Sequence, residues 1–286
     1  MKKLRLCHSM WTLPATGTRW GISNQLNANI WLYANSVAYA KKNGFEIALH
    51  TDTQGKEILG FLPYDEIHLT LNNITAHKNF WAIGKIFAQE AEPLGSIHID
   101  GDVFIKRPDT IDMKLYAKTD LIVQNTERAG FIYRGNLDHV KHALLHARKH
   151  DLYEMVNFDR GTAYCCGIAG FNSRELKDAY IAGYRELYNI LMSDPDFLTA
   201  LKNGTEMCPD LVLEQYWLES VARLQRANPY ILIDATKIYE HAEKIGFVHV
   251  IGHVKYEEEN RRKAKENLKL LDKKLYNQLM EREKYA

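Results

Sequence analysis

Apolar positions in the first third of the chain alternate between short continuous runs and helical spacing. Leu4 to Cys7 predicts a first strand, and the stretch around Trp11-Thr12-Leu13-Pro14 predicts a polar loop after it. Leu26, Ile30, Tyr33, Val37 and Ala40 then recur at helical spacing and stop at Lys41-Lys42, with Gly44 positioned as a C-terminal cap. Phe45 to His50 predicts a strand, Gly55 to Leu62 a helix, Glu66 to Leu71 a strand and Asn79 to Glu90 a helix. Ser96-Ile97-His98-Ile99-Asp100 predicts a strand running into acidic residues. Strands alternating with helices imply right-handed crossovers. The expected class is therefore α/β, a mostly parallel central sheet flanked by helices. Ligands of such sheets collect beyond the carboxyl ends of strands, where Asp52 and Asp100 fall.

Further along, Leu121 to Gln124, Tyr164 to Phe171 and Tyr230 to Ile233 predict strands. Helices are expected over Leu137 to His150, Ser173 to Met192 and Asp210 to Leu224. From Glu257 to Ala286, Ala264, Leu268, Leu271, Leu275 and Leu279 fall on one helical stripe among seven acidic and nine basic residues. An amphipathic helix packed along the domain explains that stripe. A helix lying on an anionic membrane or a partner is the sharper alternative, weakly supported by so small a basic excess. With no internal repeat or low-complexity linker, the chain reads as one domain over 1–256 and a charged helical tail over 257–286.

Composition narrows the classes of function. The 286 residues, 46% hydrophobic and 26% charged, are enough for a substantial core and exclude wholesale disorder. A net charge of +1 leaves no basic excess for gripping nucleic acid by counterion release. Arg5 and His8 interrupt any signal-like apolar stretch behind Met1-Lys2-Lys3. The longest uncharged run, Trp20 to Ala40, is too rich in Asn and Ser to span a bilayer. A cytoplasmic protein is expected, touching membrane at most peripherally through its tail. Cys7, Cys165, Cys166 and Cys208 lack CxxC spacing and read as buried small hydrophobes in a reducing compartment.

Chemistry concentrates in two motifs. In Ile97-His98-Ile99-Asp100-Gly101-Asp102, two carboxylates one Gly apart follow an apolar strand. Hard divalent cations such as Mg²⁺ or Mn²⁺ take oxygen ligands of this kind and complete their shell with phosphate. A solvated turn is the plain alternative. Far downstream, His249 in Phe247-Val248-His249-Val250-Ile251-Gly252-His253-Val254-Lys255 can offer an imidazole to the same ion. Gly252 permits close backbone approach to a phosphate, and Lys255 adds a point charge.

The spacing His249-x-x-Gly252-x-x-Lys255 resembles the C-terminal signature of family-eight glycosyltransferases, the group that includes glycogenin and bacterial lipopolysaccharide galactosyltransferases. That resemblance implies a GT-A-type fold in which Asp100, Asp102 and His249 bind Mn²⁺ or Mg²⁺ while Gly252 and Lys255 contact the donor diphosphate. Looser likenesses are Tyr164-Cys165-Cys166-Gly167-Ile168, where the family has Asn-Ala-Gly-Val, and Glu214-Gln215-Tyr216-Trp217-Leu218-Glu219, where it has Asp-Gln-x-x-Leu-Asn. The family's Pro-Trp after the Lys is replaced by Tyr256-Glu257. By the same resemblance Lys85 sits at the donor, and Glu214 and Gln215 line the donor sugar. Asp52 is assigned to the nucleotide by position alone.

The implied reaction is metal-dependent transfer of a sugar from a nucleotide-diphosphate donor, a UDP-sugar, to a hydroxyl of a glycan or lipid-linked acceptor, with retention. Glu214 as a general base is the inverting alternative. Two rivals stand beside it. One is a phosphatase of the haloacid-dehalogenase type using Asp100 as nucleophile and Asp102 as acid/base, although Phe104 stands where that pattern has Thr or Val. The other is a nucleotide-sugar-binding protein without turnover. For the acceptor, Arg128, Arg134, His142, His146, Arg148, Lys149 and His150 offer charge, and read equally as a solvated helix face.

Overall fold

The computed structural model describes residues 3–16, 25–159, 161–203 and 207–284. Met1, Lys2, the start of the uncharged run at Trp20 to Asn24, and Tyr285-Ala286 lie outside the described residues, as does the side chain of Leu26. The first part of the chain runs β1 (Arg5–Met10), α1 (Thr12–Thr16), α2 (Gln25–Lys42), β2 (Glu46–Thr51), α3 (Thr53–Leu59), β3 (Glu66–His68), α4 (Ile83–Ala91) and β4 (Ile97–Ile99). The middle follows as β5 (Val103–Ile105), α5 (Met113–Tyr116), β6 (Leu121–Arg128), α6 (Phe131–His146), α7 (His150–Val156), β7 (Thr162–Phe171), α8 (Arg174–Ser193) and α9 (Pro195–Lys202). A π-helical turn over Leu211–Tyr216 then enters α10 (Trp217–Leu224), followed by β8 (Pro229–Ile231), α11 (Ile238–Ile245), β9 (Phe247–His249), a 3₁₀ turn (Gly252–Tyr256), α12 (Glu258–Leu271) and α13 (Lys273–Lys284).

The fold is α/β. Among the described residues a seven-stranded sheet has the order β3-β2-β1-β4-β7-β6-β8. Every neighbouring pair is parallel except β4–β7 and β6–β7, so β7 alone runs against the rest. Helices cover both faces. Along β6, Leu121 and Val123 enter one buried cluster with α4, α6, α8 and α10, while Ile122 enters the opposite cluster with α2, α3 and α12. Ala169 and Ile168 of β7 divide in the same way. A strand buried on both faces needs apolar residues at every position, which is why these strands read as continuous runs.

Two expectations change. The stretch at Trp11–Pro14 is not a loop: Thr12–Thr16 is a short helix, anchored because the Asp52 carboxylate accepts from both the Thr12 N–H at 2.8 Å and its hydroxyl at 2.6 Å. The tail is two helices, broken at Asp272, whose extended backbone ends α12 and whose carboxylate accepts the Leu275 N–H of α13 at 2.9 Å. Ala264, Leu268, Leu275 and Leu279 are buried in the cluster beneath α2, so this stripe packs inward. Tyr39 donates to Asn267, and the Trp31 indole donates to Glu283 at 2.7 Å, tying the tail to α2. No described helix is long and apolar enough to cross a membrane. The four cysteines form no disulfide, and Cys7, Cys165 and Cys166 are buried.

Candidate functional site

The chain steps outward from β1 to β2 and β3, then returns to lay β4 on the other side of β1. That reversal opens a crevice between the carboxyl ends of β1 and β4. A cleft of ≈ 210 Å³ lies there, lined by Ser9 and Met10 from the end of β1, Asp100 and Asp102 after β4, and Lys85 of α4. Trp11, Tyr33, Trp81, Lys255 and Tyr256 also line it.

The turn between β4 and β5 aims the two carboxylates. The Asp100 N–H donates to the Gly167 carbonyl at 2.9 Å, and the Val103 N–H donates back to the Asp100 carbonyl at 2.9 Å. A Cβ on Gly101 would lie 2.4 Å from the Tyr33 ring, so glycine is what lets that aromatic lie across the turn. Tyr33 is held there by its hydroxyl, which donates to the Ser9 carbonyl at 2.8 Å.

His249 reaches the pair by strand pairing. β5 and β9 form a small antiparallel sheet with Val103 opposite His249, and the Val250 N–H donates to the Asp102 carbonyl at 3.0 Å. The His249 Nε2 then stands 3.4 Å from Asp102 Oδ1. Its Nδ1 faces Gln124 Oε1 at 2.7 Å, an acceptor, so the proton belongs on Nδ1 and the Nε2 lone pair faces the carboxylate. A Cβ on Gly167 would fall 2.4 Å from the His249 ring and 2.5 Å from Gln124, so the empty position on β7 accommodates this pair. Gly252, with φ +73°, opens the 3₁₀ turn in the left-handed region that favours glycine. That turn delivers Lys255, whose Nζ donates to Asp102 Oδ2 at 2.7 Å. Burial alone would raise the Asp102 carboxyl, but the Lys255 ammonium holds it well below the usual range.

On the other wall, buried Lys85 lies between Asp100 Oδ1 at 2.8 Å and Glu214 Oε1 at 2.9 Å, with the Trp81 ring 4.8 Å away. Glu214 is buried in the π-helical turn, and its Oε2 has no hydrogen-bond partner among the described residues. Burial pushes its carboxyl well above the ordinary range; Lys85 opposes this and the Asp100 charge reinforces it.

Six residues singled out from the sequence therefore meet: Asp100, Asp102, His249, Lys85, Lys255 and Glu214. Of the six, His249 and Glu214 do not line the cleft itself, and the other three expected residues stand outside the cluster altogether. Asp52 caps α3, accepting the Gly55 N–H at 2.7 Å with one oxygen and Thr12 with the other, so both its oxygens are engaged in holding the fold. Gln215 follows Glu214 but turns aside to hydrogen-bond the Tyr133 hydroxyl. Gly252 shapes the turn that carries Lys255. Gln124, Tyr33 and Trp81 are additions to the residues expected from the sequence, and Gly167, expected only within a loose likeness, proves to make room for the His249–Gln124 pair. Gln124 left one signal, an amide ending the apolar run Leu121-Ile122-Val123. Arg128, Arg134, His142 and Lys149 are exposed, as a solvated face requires.

One ligand atom each from Asp100, Asp102 and His249 lies within 4.8 Å of the others. Two carboxylates and an imidazole of fixed tautomer, backed by Gln124, fit a divalent cation. Beside them two ammonium groups, Lys85 and Lys255, suit an anion placed over the same point. No curated protein matches the chain. Over residues 4–282 it matches DUF6734, a family of unknown function, and it belongs to that family.

Proposed function

We propose that this protein is a metal-dependent glycosyltransferase with a GT-A-type fold, moving a sugar from a UDP-sugar to an acceptor hydroxyl of a glycan or lipid-linked carrier. The observation that carries this reading is the meeting of Asp100-Gly101-Asp102 with His249 and Lys255 at the crevice where the sheet reverses. Chain distance makes that meeting informative: the residues come from β4–β5 and from β9 and its following turn.

Asp100, Asp102 and His249 would hold Mn²⁺ or Mg²⁺, which when bound supplies positive charge beside the departing diphosphate. Lys255 moves from Asp102 to the phosphate oxygens, and Lys85 keeps Asp100 oriented from behind. Trp11, Tyr33 and Trp81 offer flat apolar faces to the nucleoside. Glu214 is buried against Lys85 and does not line the cleft, so it is not placed to take a proton from an acceptor hydroxyl, which favours the retaining outcome over the inverting one.

Calorimetry with UDP tests the metal and anion sites together. Mn²⁺ is expected to tighten UDP binding at least tenfold, and Asp102→Ala to remove that gain. Tight UDP binding indifferent to both metal and Asp102 would defeat the proposal.

A further inference from the structure

Away from the cleft, α6 carries a second set of metal-competent side chains. His142 and His146 stand four residues apart and so share one face of the helix. That face meets the junction of α8 and α9, where Asp194 caps α9 and Asp196 lies in its first turn. Asp194 is buried, and its Oδ1 is fixed by the Phe197 N–H at 2.7 Å, which leaves Oδ2 turned toward His146 Nδ1 at 2.9 Å. His142 Nε2 stands 3.8 Å from Asp196 Oδ2, too far for a hydrogen bond. One ligand atom each of His142, Asp194 and Asp196 lies within 4.8 Å of the others.

We propose that His142, Asp194 and Asp196, with His146 turning in from beside Asp194 as a fourth donor, bind a divalent transition-metal ion of the zinc type, joining α6 to the α8–α9 junction. Donor atoms around a tetrahedral zinc lie roughly 3.3 Å apart, a value straddled by the two histidine–aspartate separations. Histidines at i and i+4 are a spacing that places two imidazoles on one ion. Two nitrogen and two oxygen donors suit zinc and its neighbours. The buried, capped Asp194 supplies a fixed point, and the three exposed side chains turn onto the ion around it. The site shares no residue with the cleft, so it stands or falls apart from the sugar-transfer reading.

The test titrates Zn²⁺ into the full-length chain carrying Asp100→Ala and Asp102→Ala, which removes the cleft ligands. One equivalent is expected to bind, and thermal unfolding is expected to shift upward with Zn²⁺. Adding His142→Ala, which deletes only an exposed side chain, should weaken binding at least tenfold, and adding His146→Ala as well should abolish the thermal shift. Co²⁺ substitution should give a tetrahedral absorption band that follows the same residues. Zn²⁺ affinity unchanged by both histidine substitutions, or no binding by the parent, would overturn the assignment.

Discussion

At Glu214, burial outweighs an ammonium 2.9 Å away. The folded chain therefore keeps a proton that an unfolded Glu releases near its usual 4.5. Between those two values the native state binds more protons than the unfolded one, so stability falls as pH rises from 4.5 through the elevated folded value. Urea unfolding followed from about pH 5 to about pH 8 should show that decline, and Glu214→Gln, which keeps the shape and has no proton to lose, should flatten it. An unchanged slope in the variant would place the titration elsewhere. Gly167 makes a different residue-scale prediction. A methyl group there meets the His249 ring and Gln124 at once, so Gly167→Ala should lower Mn²⁺ affinity by roughly 10- to 100-fold without altering a ligand. Equal Mn²⁺ affinity in calorimetry would show that Gln124 does not orient His249. The sequence made Asp100, Asp102 and His249 legible through residue type and spacing. It hid the roles of Gln124 and Gly167, because an amide and a glycine have no chemistry of their own until a fold places them behind an imidazole.

Elements are joined beside β1 and β2 by Glu92, the residue that ends α4. Its carboxylate accepts from Arg5 of β1 at 2.6 and 2.8 Å and meets His50 of β2 at 2.9 Å, while its carbonyl accepts from Lys177 of α8 at 2.6 Å. Burial would raise this carboxyl, but the bonds from His50 and Arg5 prevail and hold it at about 2. Its contribution is complete above the usual 4.5 and is lost as pH falls toward 2. Glu92→Gln is expected to cost roughly 3 kcal/mol at neutral pH and to remove most of the acid sensitivity of that window, checked by chemical denaturation at several pH values. A cost of a few tenths of a kcal/mol would mean that the network merely sits on the surface of the joint. The elements themselves were largely legible: the runs and spacings at β1, α2, β2 and α8 all have counterparts. The antiparallel direction of β7 was not, because a strand buried on both faces carries no mark of its orientation. The short strands β5 and β9 were equally silent as partners, since three-residue strands pair through backbone rather than through side-chain pattern.

For the whole molecule, the net charge of +1 proves to be an average over opposed local fields. Asp100 and Asp102 concentrate negative potential at the crevice, and Lys85 and Lys255 balance it within hydrogen-bond distance. A balanced site of this kind can exchange one of its own ion pairs for a metal and a diphosphate without a basic surface. The tail belongs to the same structure, since Leu268, Leu275 and Leu279 complete the core under α2. Its sequence showed the stripe but not what covered it, because amphipathicity alone does not name the partner. Sugar transfer is measured most directly as UDP release from a panel of UDP-sugars, with and without Mn²⁺, by the wild-type chain and by Asp102→Asn. Mn²⁺-dependent release from at least one donor is expected, reduced at least a hundredfold in the variant; release that is absent throughout the panel, or present without metal and equal in the variant, would rule out metal-dependent sugar transfer at this site.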